Sequence, residues 1–139
     1  MHILFVCTGN ICRSPMAEGI MKKMIKDYNL KDITCESAGT YPLMGEHPSK
    51  YAIKVCKTQG VDISAHTARE ISPDLLSRAD VVFVMTLQQK IEILKKGVPT
   101  GKIYVPSYGI PDPYGGSYRK YKATLNLIID GLKSFISEL

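Results

Sequence analysis

The stretch His2-Ile-Leu-Phe-Val-Cys7-Thr-Gly-Asn-Ile-Cys-Arg13-Ser14-Pro15 decides the fold of this chain. Its first part is short and mostly apolar, which predicts a buried strand. Ser14 followed by Pro15 predicts a helix start, with Ser14 as the N-cap and Pro15 at the first helical position. The residues between Cys7 and Ser14 are therefore predicted to form the loop that joins the strand to the helix.

The rest of the chain repeats this alternation of strand and helix. Further strands are predicted at 33–37, 80–85 and 102–105, and helices at 48–59, from residue 72, at 87–96 and at the C-terminus. Strands that alternate with helices pair in parallel through right-handed crossovers, with helices on both faces of the sheet. Because the 139 residues include no linker-like segment, we expect one three-layer α/β domain over 1–139.

The loops that follow the predicted strands are expected to meet at one place. Ligands of parallel α/β folds bind beyond the carboxyl ends of the strands. The chain would therefore bring residues 7–13, Thr40, Thr86 and Asp112 around a single mouth.

The loop after the first strand has the features of a phosphate site. Successive backbone N–H groups of a tight turn converge on an anion, and the following helix adds its positive end. Arg13 adds a planar fork of donors that matches two phosphate oxygens. The candidate phosphate-binding residues are Thr8, Gly9, Asn10, Ile11, Cys12, Arg13 and Ser14.

Cys7 and Asp112 complete a candidate catalytic set. The Arg13 guanidinium, the loop N–H groups and the Ser14 hydroxyl would stabilise a thiolate on Cys7, and a thiolate is a nucleophile. A group that leaves phosphorus must also be protonated, and Asp112 lies in a loop stiffened by prolines on both sides. The alternatives are a buried structural cysteine and an ordinary turn aspartate. The combination favours a phosphatase.

These two segments resemble the low-molecular-weight protein tyrosine phosphatase family. Residues 7–15 are similar to its signature loop, Asp112-Pro113-Tyr114 is similar to its acid loop, and the resemblance runs along nearly the whole chain. It implies a four-stranded parallel sheet flanked by helices and no metal or organic cofactor. It also implies that Cys7 is the nucleophile, Arg13 the phosphate clamp and Asp112 the general acid.

The resemblance further implies supporting residues. Asn10 would hold the loop in its strained shape, with Ser37 and His66 as its hydrogen-bond partners. Cys12 would trap oxidised Cys7 as a reversible disulfide, and its alternative role is that of a small packing residue.

The residues expected to form the walls of the pocket indicate which phosphorylated side chain it accepts. Tyr114 is expected to form an aromatic wall, with Tyr41 or Leu43 opposite, and a slot of this kind suits phosphotyrosine. The chain is also similar to a protein arginine phosphatase branch, for example at Thr8. That branch carries threonine at the position of Ile11, and isoleucine matches the tyrosine-directed members.

We therefore predict phosphotyrosine hydrolysis through a phosphocysteine intermediate. Protein arginine phosphatase activity is the alternative. Arsenate reductase activity is a remote one, because the relay cysteines that it needs are missing from 80–90.

Composition limits the remaining possibilities. The net charge of +5 comes from scattered lysines without interleaved aromatics, which does not indicate nucleic-acid binding. No apolar run approaches the length of a membrane span, and the first residues do not resemble a secretory signal. The four cysteines are expected to be free thiols, and no spacing matches a zinc site. We expect a cytoplasmic monomer that acts on phosphorylated proteins and releases inorganic phosphate.

Overall fold

The fold is known from a computed structural model that describes residues 1–107 and 109–139. The strands in these residues are β1 (His2–Cys7), β2 (Thr34–Gly39), β3 (Val81–Val84) and β4 (Ile103–Tyr104). The helices are α1 (Arg13–Asp27), α2 (Lys50–Lys57), α3 (Pro73–Arg78), α4 (Leu87–Lys95) and α5 (Tyr118–Ser137), and a 3-10 turn spans Thr100–Lys102.

The strands form one parallel sheet in the order β2-β1-β3-β4. β1 lies inside the sheet because it is apolar along nearly its whole length and can be covered on both faces. Since the strands are parallel, their carboxyl ends lie at one edge, where β1 leads into α1. The predicted α/β class and the four-stranded parallel sheet are confirmed.

Side chains of β1 alternate between two apolar cores. Ile3 and Phe5 pack with α1, α2 and α5 on one face of the sheet. Leu4 and Val6 pack with α3 and α4 on the other face. The helices therefore cover both faces, which confirms the predicted three layers, and Cys7 continues the Ile3 and Phe5 side.

The start of α1 differs from the prediction. The helix begins at Arg13 with Cys12 as its N-cap, so the prediction of Ser14 as N-cap is wrong. Pro15 lies at the third helical position, where its missing N–H costs no hydrogen bond within the helix. The Ser14 hydroxyl contacts Cys7 and Asn10 instead, because tertiary partners are available to it.

Other boundaries also moved, and β3 is shorter than predicted, at Val81–Val84. β2 runs on to Gly39 because its last residue pairs with the last residue of β1. β4 and α2 are shorter than predicted, at Ile103–Tyr104 and Lys50–Lys57.

Candidate active site

The Cys7 sulfur lies at the amino end of α1. Cys7 is the last residue of β1 and is almost fully buried. Its Sγ lies 2.9 Å from Ser14 Oγ and accepts a longer contact, 3.4 Å, from the Ser14 backbone N–H. The sulfur thus has a hydroxyl, a main-chain donor and the positive end of a helix around it, all of which favour negative charge.

Asn10 fixes the direction of the Ser14 hydroxyl. Asn10 has a φ of 57°, a left-handed conformation that asparagine tolerates better than most residues. Its buried Nδ2 donates to Ser14 Oγ at 2.8 Å and to Ser37 Oγ at 3.1 Å. Because Ser14 Oγ accepts from Asn10, the serine's own hydrogen is available to Cys7 Sγ.

Other segments hold Asn10 from outside the loop. The Arg69 backbone N–H donates to Asn10 Oδ1 at 3.0 Å, and His66 Nε2 lies 3.1 Å from the Asn10 carbonyl oxygen. Burial lowers the pKa of His66, so the neutral ring donates from Nε2. Ser37 Oγ in turn donates to Glu18 Oε1 at 2.7 Å. The structure therefore brings Ser37 and His66 to the loop residue with which they were expected to pair.

Sequence reasoning missed Glu18, Arg69 and Gln89. Glu18 follows Ser14 by one helical turn, a spacing that places both on one face of α1. Arg69 contacts Asn10 through its backbone and so leaves no side-chain signal. Gln89 was detectable, because Thr86 and Gln89 have the spacing of a capping box.

Gln89 ties the loop to α4. Its Oε1 accepts from the backbone N–H groups of Met85 and Thr86, at 2.8 and 3.1 Å. Its Nε2 donates to Thr8 Oγ1 at 3.3 Å. The first residue of the loop is therefore held by the third strand and its helix.

The segment after β2 runs along the loop by main-chain hydrogen bonds. Tyr41 N donates to the Thr8 carbonyl at 3.0 Å, and Leu43 N donates to the Gly9 carbonyl at 3.2 Å. Gly39 permits this approach, since a Cβ there would lie 2.5 Å from the Thr8 oxygen. The pairing places the side chains of Tyr41 and Leu43 at the rim.

A cavity of about 260 Å³ opens above the loop. Its lining brings together Cys7, Thr8, Gly9, Ile11, Cys12, Arg13, Tyr41, Leu43, Asp112 and Tyr114. Thr40 and Thr86, expected at the same mouth, are outside this lining. The Thr86 hydroxyl caps α4 by accepting from the Gln89 backbone N–H, and the Thr40 hydroxyl is buried.

Arg13 connects the loop to the segment that carries Asp112. Its guanidinium is buried, and one terminal nitrogen donates to the Ile110 carbonyl at 2.9 Å. The other terminal nitrogen lies 3.6 Å from Asp112 Oδ2, while Nε has no hydrogen-bond partner in the described part of the chain. Asp112 is half exposed, and its Oδ1 accepts from the Tyr114 N–H at 3.1 Å. A donor fork and a carboxylate therefore face the same opening.

Cys12 lines the pocket, and its sulfur contacts two hydroxyl groups. Its Sγ is 3.3 Å from both Ser49 Oγ and Tyr121 OH. Burial raises the pKa of the Cys12 thiol, and burial also raises the pKa of Tyr121 to about 12. Both groups thus keep their protons at neutral pH, unlike a nucleophile that must react as an anion.

Neither a metal cluster nor a membrane-spanning helix occurs among residues 1–107 and 109–139. No three His, Cys, Asp or Glu side chains there are grouped to hold a metal ion. No helix there is long and apolar enough to cross a bilayer. All four cysteines are free thiols.

Known proteins resemble this chain along its whole length. The family model for low molecular weight phosphotyrosine protein phosphatase matches residues 2–139. A probable low molecular weight protein-tyrosine-phosphatase, EpsP, from Ralstonia nicotianae is 33% identical, covering 99% of this chain and 94% of that protein. A protein-arginine-phosphatase from Bacillus subtilis is also 33% identical, covering 100% of this chain and 97% of that protein. The crystal structure of a low molecular weight protein tyrosine phosphatase from T. tengcongensis superposes with a TM-score of 0.94 at 35% identity, covering 100% of this chain and 99% of that one.

Proposed function

The chain belongs to the low molecular weight phosphotyrosine protein phosphatase family, and on that premise we propose that it hydrolyses phosphotyrosine through a phosphocysteine on Cys7. The family consists of cysteine-based phosphatases, so the protein is an enzyme that takes phosphate from phosphorylated proteins. One observation carries the mechanism: the Cys7 sulfur lies 2.9 Å from the Ser14 hydroxyl in a pocket that Arg13 and Asp112 also line.

In the first step, the Cys7 thiolate attacks phosphorus. An S–P bond forms and the P–O bond to tyrosine breaks. Asp112 in its acid form gives its proton to the departing oxygen, so tyrosine leaves as a neutral phenol. Arg13 and the loop N–H groups donate to the phosphoryl oxygens, where charge accumulates in the transition state.

In the second step, water takes the place of the leaving group. The Asp112 carboxylate removes a proton from the water as its oxygen bonds to phosphorus. The S–P bond breaks, and the sulfur leaves as a thiolate that the Ser14 hydroxyl and backbone N–H stabilise. Inorganic phosphate is released, and both catalytic groups return to their starting protonation states.

Phosphotyrosine is the substrate that the walls of the pocket favour. Tyr41 and Tyr114 line it and are 77% and 62% exposed, so their rings are accessible to a substrate ring. Ile11 adds a branched apolar side chain within the loop. Aromatic rings prefer contact with rings and apolar groups, and a planar phenyl phosphate offers both a ring and the required reach.

Protein arginine phosphatase activity is the second candidate. It is supported by a relative of that name that aligns along the entire chain. Ile11 weighs against it, because a guanidinium has donors on every edge and an isoleucine side chain accepts none of them.

A matched pair of variants at position 11 tests the substrate assignment. Two peptides of one sequence, carrying phosphotyrosine or phosphoarginine, are compared by kcat/KM for wild type, Ile11→Thr and Ile11→Val. Valine has the shape of threonine without its hydroxyl. We expect wild type to prefer phosphotyrosine, and Ile11→Thr alone to move the ratio about tenfold towards phosphoarginine. A tenfold wild-type preference for phosphoarginine would overturn the substrate assignment while leaving the phosphocysteine chemistry intact.

The remaining cysteines argue against arsenate reduction. Burial raises the pKa of Cys35 and of Cys56 to about 12, which leaves neither as a ready thiolate for a disulfide relay. Release of phosphate without arsenate-dependent thiol loss would agree with this assignment.

We also propose a cytoplasmic, monomeric enzyme in which Cys12 protects Cys7 from oxidation. Both sulfurs line the same pocket. Peroxide treatment followed by mass spectrometry should find a Cys7–Cys12 disulfide that dithiothreitol reverses, and light scattering should find one chain per particle.

A further inference from the structure

Two helices beside the pocket carry a surface of unbalanced positive charge. We call it the cationic face, and its members are Lys50, Lys54, Lys57, Arg119, Lys120 and Lys122. All six are exposed. α2 contains no acidic residue, and the first acidic residue of α5 is Asp130.

The cationic face differs from α1 and α3, where cations pair with carboxylates. Lys22 and Lys23 of α1 pair with acidic residues one turn away, and so does Arg78 of α3. Within the described residues, no member of the cationic face forms an ion pair. The six cations are therefore not neutralised by a carboxylate on their own helices before Asp130.

Both helices of the cationic face begin at the phosphate loop. Ser49, just before α2, donates its backbone N–H to the Ile11 carbonyl at 2.9 Å. Tyr121 of α5 places its hydroxyl 3.3 Å from Cys12 Sγ. Lys120 packs against the loop that carries Asp112, since a Cβ added to Gly116 would lie 2.7 Å from Lys120 Cδ. The first turns of both helices, with Lys50 and Lys120, therefore lie beside the loops that form the pocket.

Aromatic contacts hold the two helices together at this surface. The Tyr51 ring packs edge-on against Tyr118 and Tyr121, with centroids 5.8 and 5.7 Å apart. Lys54 Nζ lies 4.8 Å from the Tyr118 ring centroid. The two helices that carry the cations are therefore held at a fixed spacing, which reduces the ordering cost of binding a partner.

We propose that the cationic face binds an acidic segment of the phosphoprotein substrate, next to the phosphotyrosine in the pocket. This inference rests on the function proposed above. Several like charges within about one Debye length, about 8 Å in physiological salt, act together on an extended anionic peptide. The contribution is greatest in low salt and appears in kcat/KM rather than in kcat.

The test compares phosphotyrosine peptides that differ only in their flanks. One peptide carries glutamate at three positions on each side of the phosphotyrosine, and its match carries glutamine. In 25 mM salt we expect kcat/KM for the acidic peptide to be five- to twentyfold higher. In 300 mM salt the ratio should fall below threefold.

A matched pair of triple variants locates the effect. Lys50→Gln, Lys54→Gln and Arg119→Gln together remove three charges from the cationic face. Lys31→Gln, Lys95→Gln and Lys96→Gln remove three exposed charges outside the cationic face, one just before β2 and two at the end of α4. We expect the first set to reduce the preference for the acidic peptide below twofold, and the second set to keep that preference. Hydrolysis of p-nitrophenyl phosphate is the control, because this substrate has no flanking residues and reports on the pocket alone.

The outcomes separate the two proposals. Equal kcat/KM for both peptides, or equal loss in both triple variants, overturns acidic-segment binding and leaves the phosphatase assignment standing. Failure of wild type to hydrolyse any phosphotyrosine substrate overturns the proposed function itself. Inhibition by a duplex oligonucleotide at nanomolar concentration, without a flank preference, would instead make the cationic face a nucleic-acid site.

Discussion

The loop of residues 8–13 and the loop around Asp112 face each other across the pocket, but they are built differently. The first is mostly buried, and side chains or backbone from α1, β2, α4 and the segment before α3 bond to it. The second is exposed at Pro111, Asp112 and Tyr114. Two hydrogen bonds at Ile110 chiefly anchor it. The Arg13 guanidinium donates to the Ile110 carbonyl, and the Ile110 N–H donates to the Met85 carbonyl at 2.7 Å.

This difference matches what each loop must do in the proposed mechanism. Transition-state stabilisation needs donors fixed in advance around phosphorus, and fixing them requires partners from many directions. Proton transfer needs one carboxyl group within reach of the leaving oxygen and of water, and exposure helps water to enter. We therefore expect substitutions in the buried loop to remove chemistry, and substitutions in the exposed loop to change its dependence on the leaving group.

The largest effect is expected from Cys7→Ser. Without the sulfur there is no S–P intermediate, and kcat for p-nitrophenyl phosphate should fall at least about ten-thousandfold. Steady-state kinetics measures the loss, and circular dichroism with thermal unfolding checks that the variant folds. A folded Cys7→Ser protein with more than about one per cent of wild-type kcat would refute the nucleophile assignment.

Asp112→Ala should have the next largest effect, and the effect should depend on the substrate. Loss of a general acid costs about 10²–10⁴-fold when the leaving group needs a proton. We expect kcat for a phosphotyrosine peptide to fall within that range. With a strongly acidic phenol as leaving group, such as a dinitrophenyl phosphate, the first step should be much less affected.

Asp112→Asn serves as the control for shape. Asparagine keeps an oxygen that accepts from the Tyr114 N–H, but its amide cannot act as the acid that protonates the leaving oxygen. If Asp112→Asn retained wild-type activity on phosphotyrosine, Asp112 would be a loop-positioning residue rather than the acid.

The two loops also differed in how much of them the sequence predicted. The residues of the buried loop are contiguous in sequence. An anion site could therefore be predicted from a strand followed within a few positions by a glycine, an arginine and a helix start. The parallel sheet followed from the alternation of strands and helices, and the structure confirms it. The roles of Cys7, Arg13 and Asp112 stay predictions, although the structure places all three at one pocket.

What the sequence could not provide were contacts made over long separations. Glu18 reaches Ser37, and the Arg69 backbone reaches Asn10, only after β2 has paired with β1. Local helix rules also assigned the N-cap to Ser14, and that assignment is wrong. The serine-proline pair resembles a helix cap, but a buried sulfur and a buried amide offered the hydroxyl stronger partners.

Ser14→Ala is expected to have an intermediate effect. It removes one hydrogen bond to the sulfur, and hydrogen bonds to charged groups are worth about 1.5–3 kcal/mol. We expect kcat/KM to fall by about ten- to a hundredfold, and the rate of Cys7 alkylation by iodoacetate at pH 6 to fall as well. Ser14→Thr keeps the hydroxyl and should retain most of both rates. Unchanged alkylation in a folded Ser14→Ala variant would contradict the role given to the hydroxyl.

The most distant support of the buried loop is Glu36. Its carboxylate accepts from Arg78 at 2.8 and 2.9 Å and lies 2.6 Å from both Arg69 and His2. Arg69 also donates from Nε to the Ser37 carbonyl at 3.0 Å. The hydrogen bond from Arg78 is the largest of the influences that lower the pKa of Glu36, to about 2.

Glu36→Gln should therefore change stability more than activity. Of the four residues substituted in this comparison, Glu36 should have the smallest kinetic effect. A carboxyl group whose pKa is lowered by folding stabilises the native state above its unfolded pKa and loses that contribution as pH falls towards the folded value. We expect the variant to be less stable than wild type by about 1–3 kcal/mol at pH 7, and the gap to close between about pH 4.5 and pH 2. Urea unfolding across this range measures it, and kcat should change by less than about threefold because Arg69 holds Asn10 through its backbone. A gap that stayed constant down to pH 2 would show that the ionised carboxylate is not what stabilises this edge of the sheet.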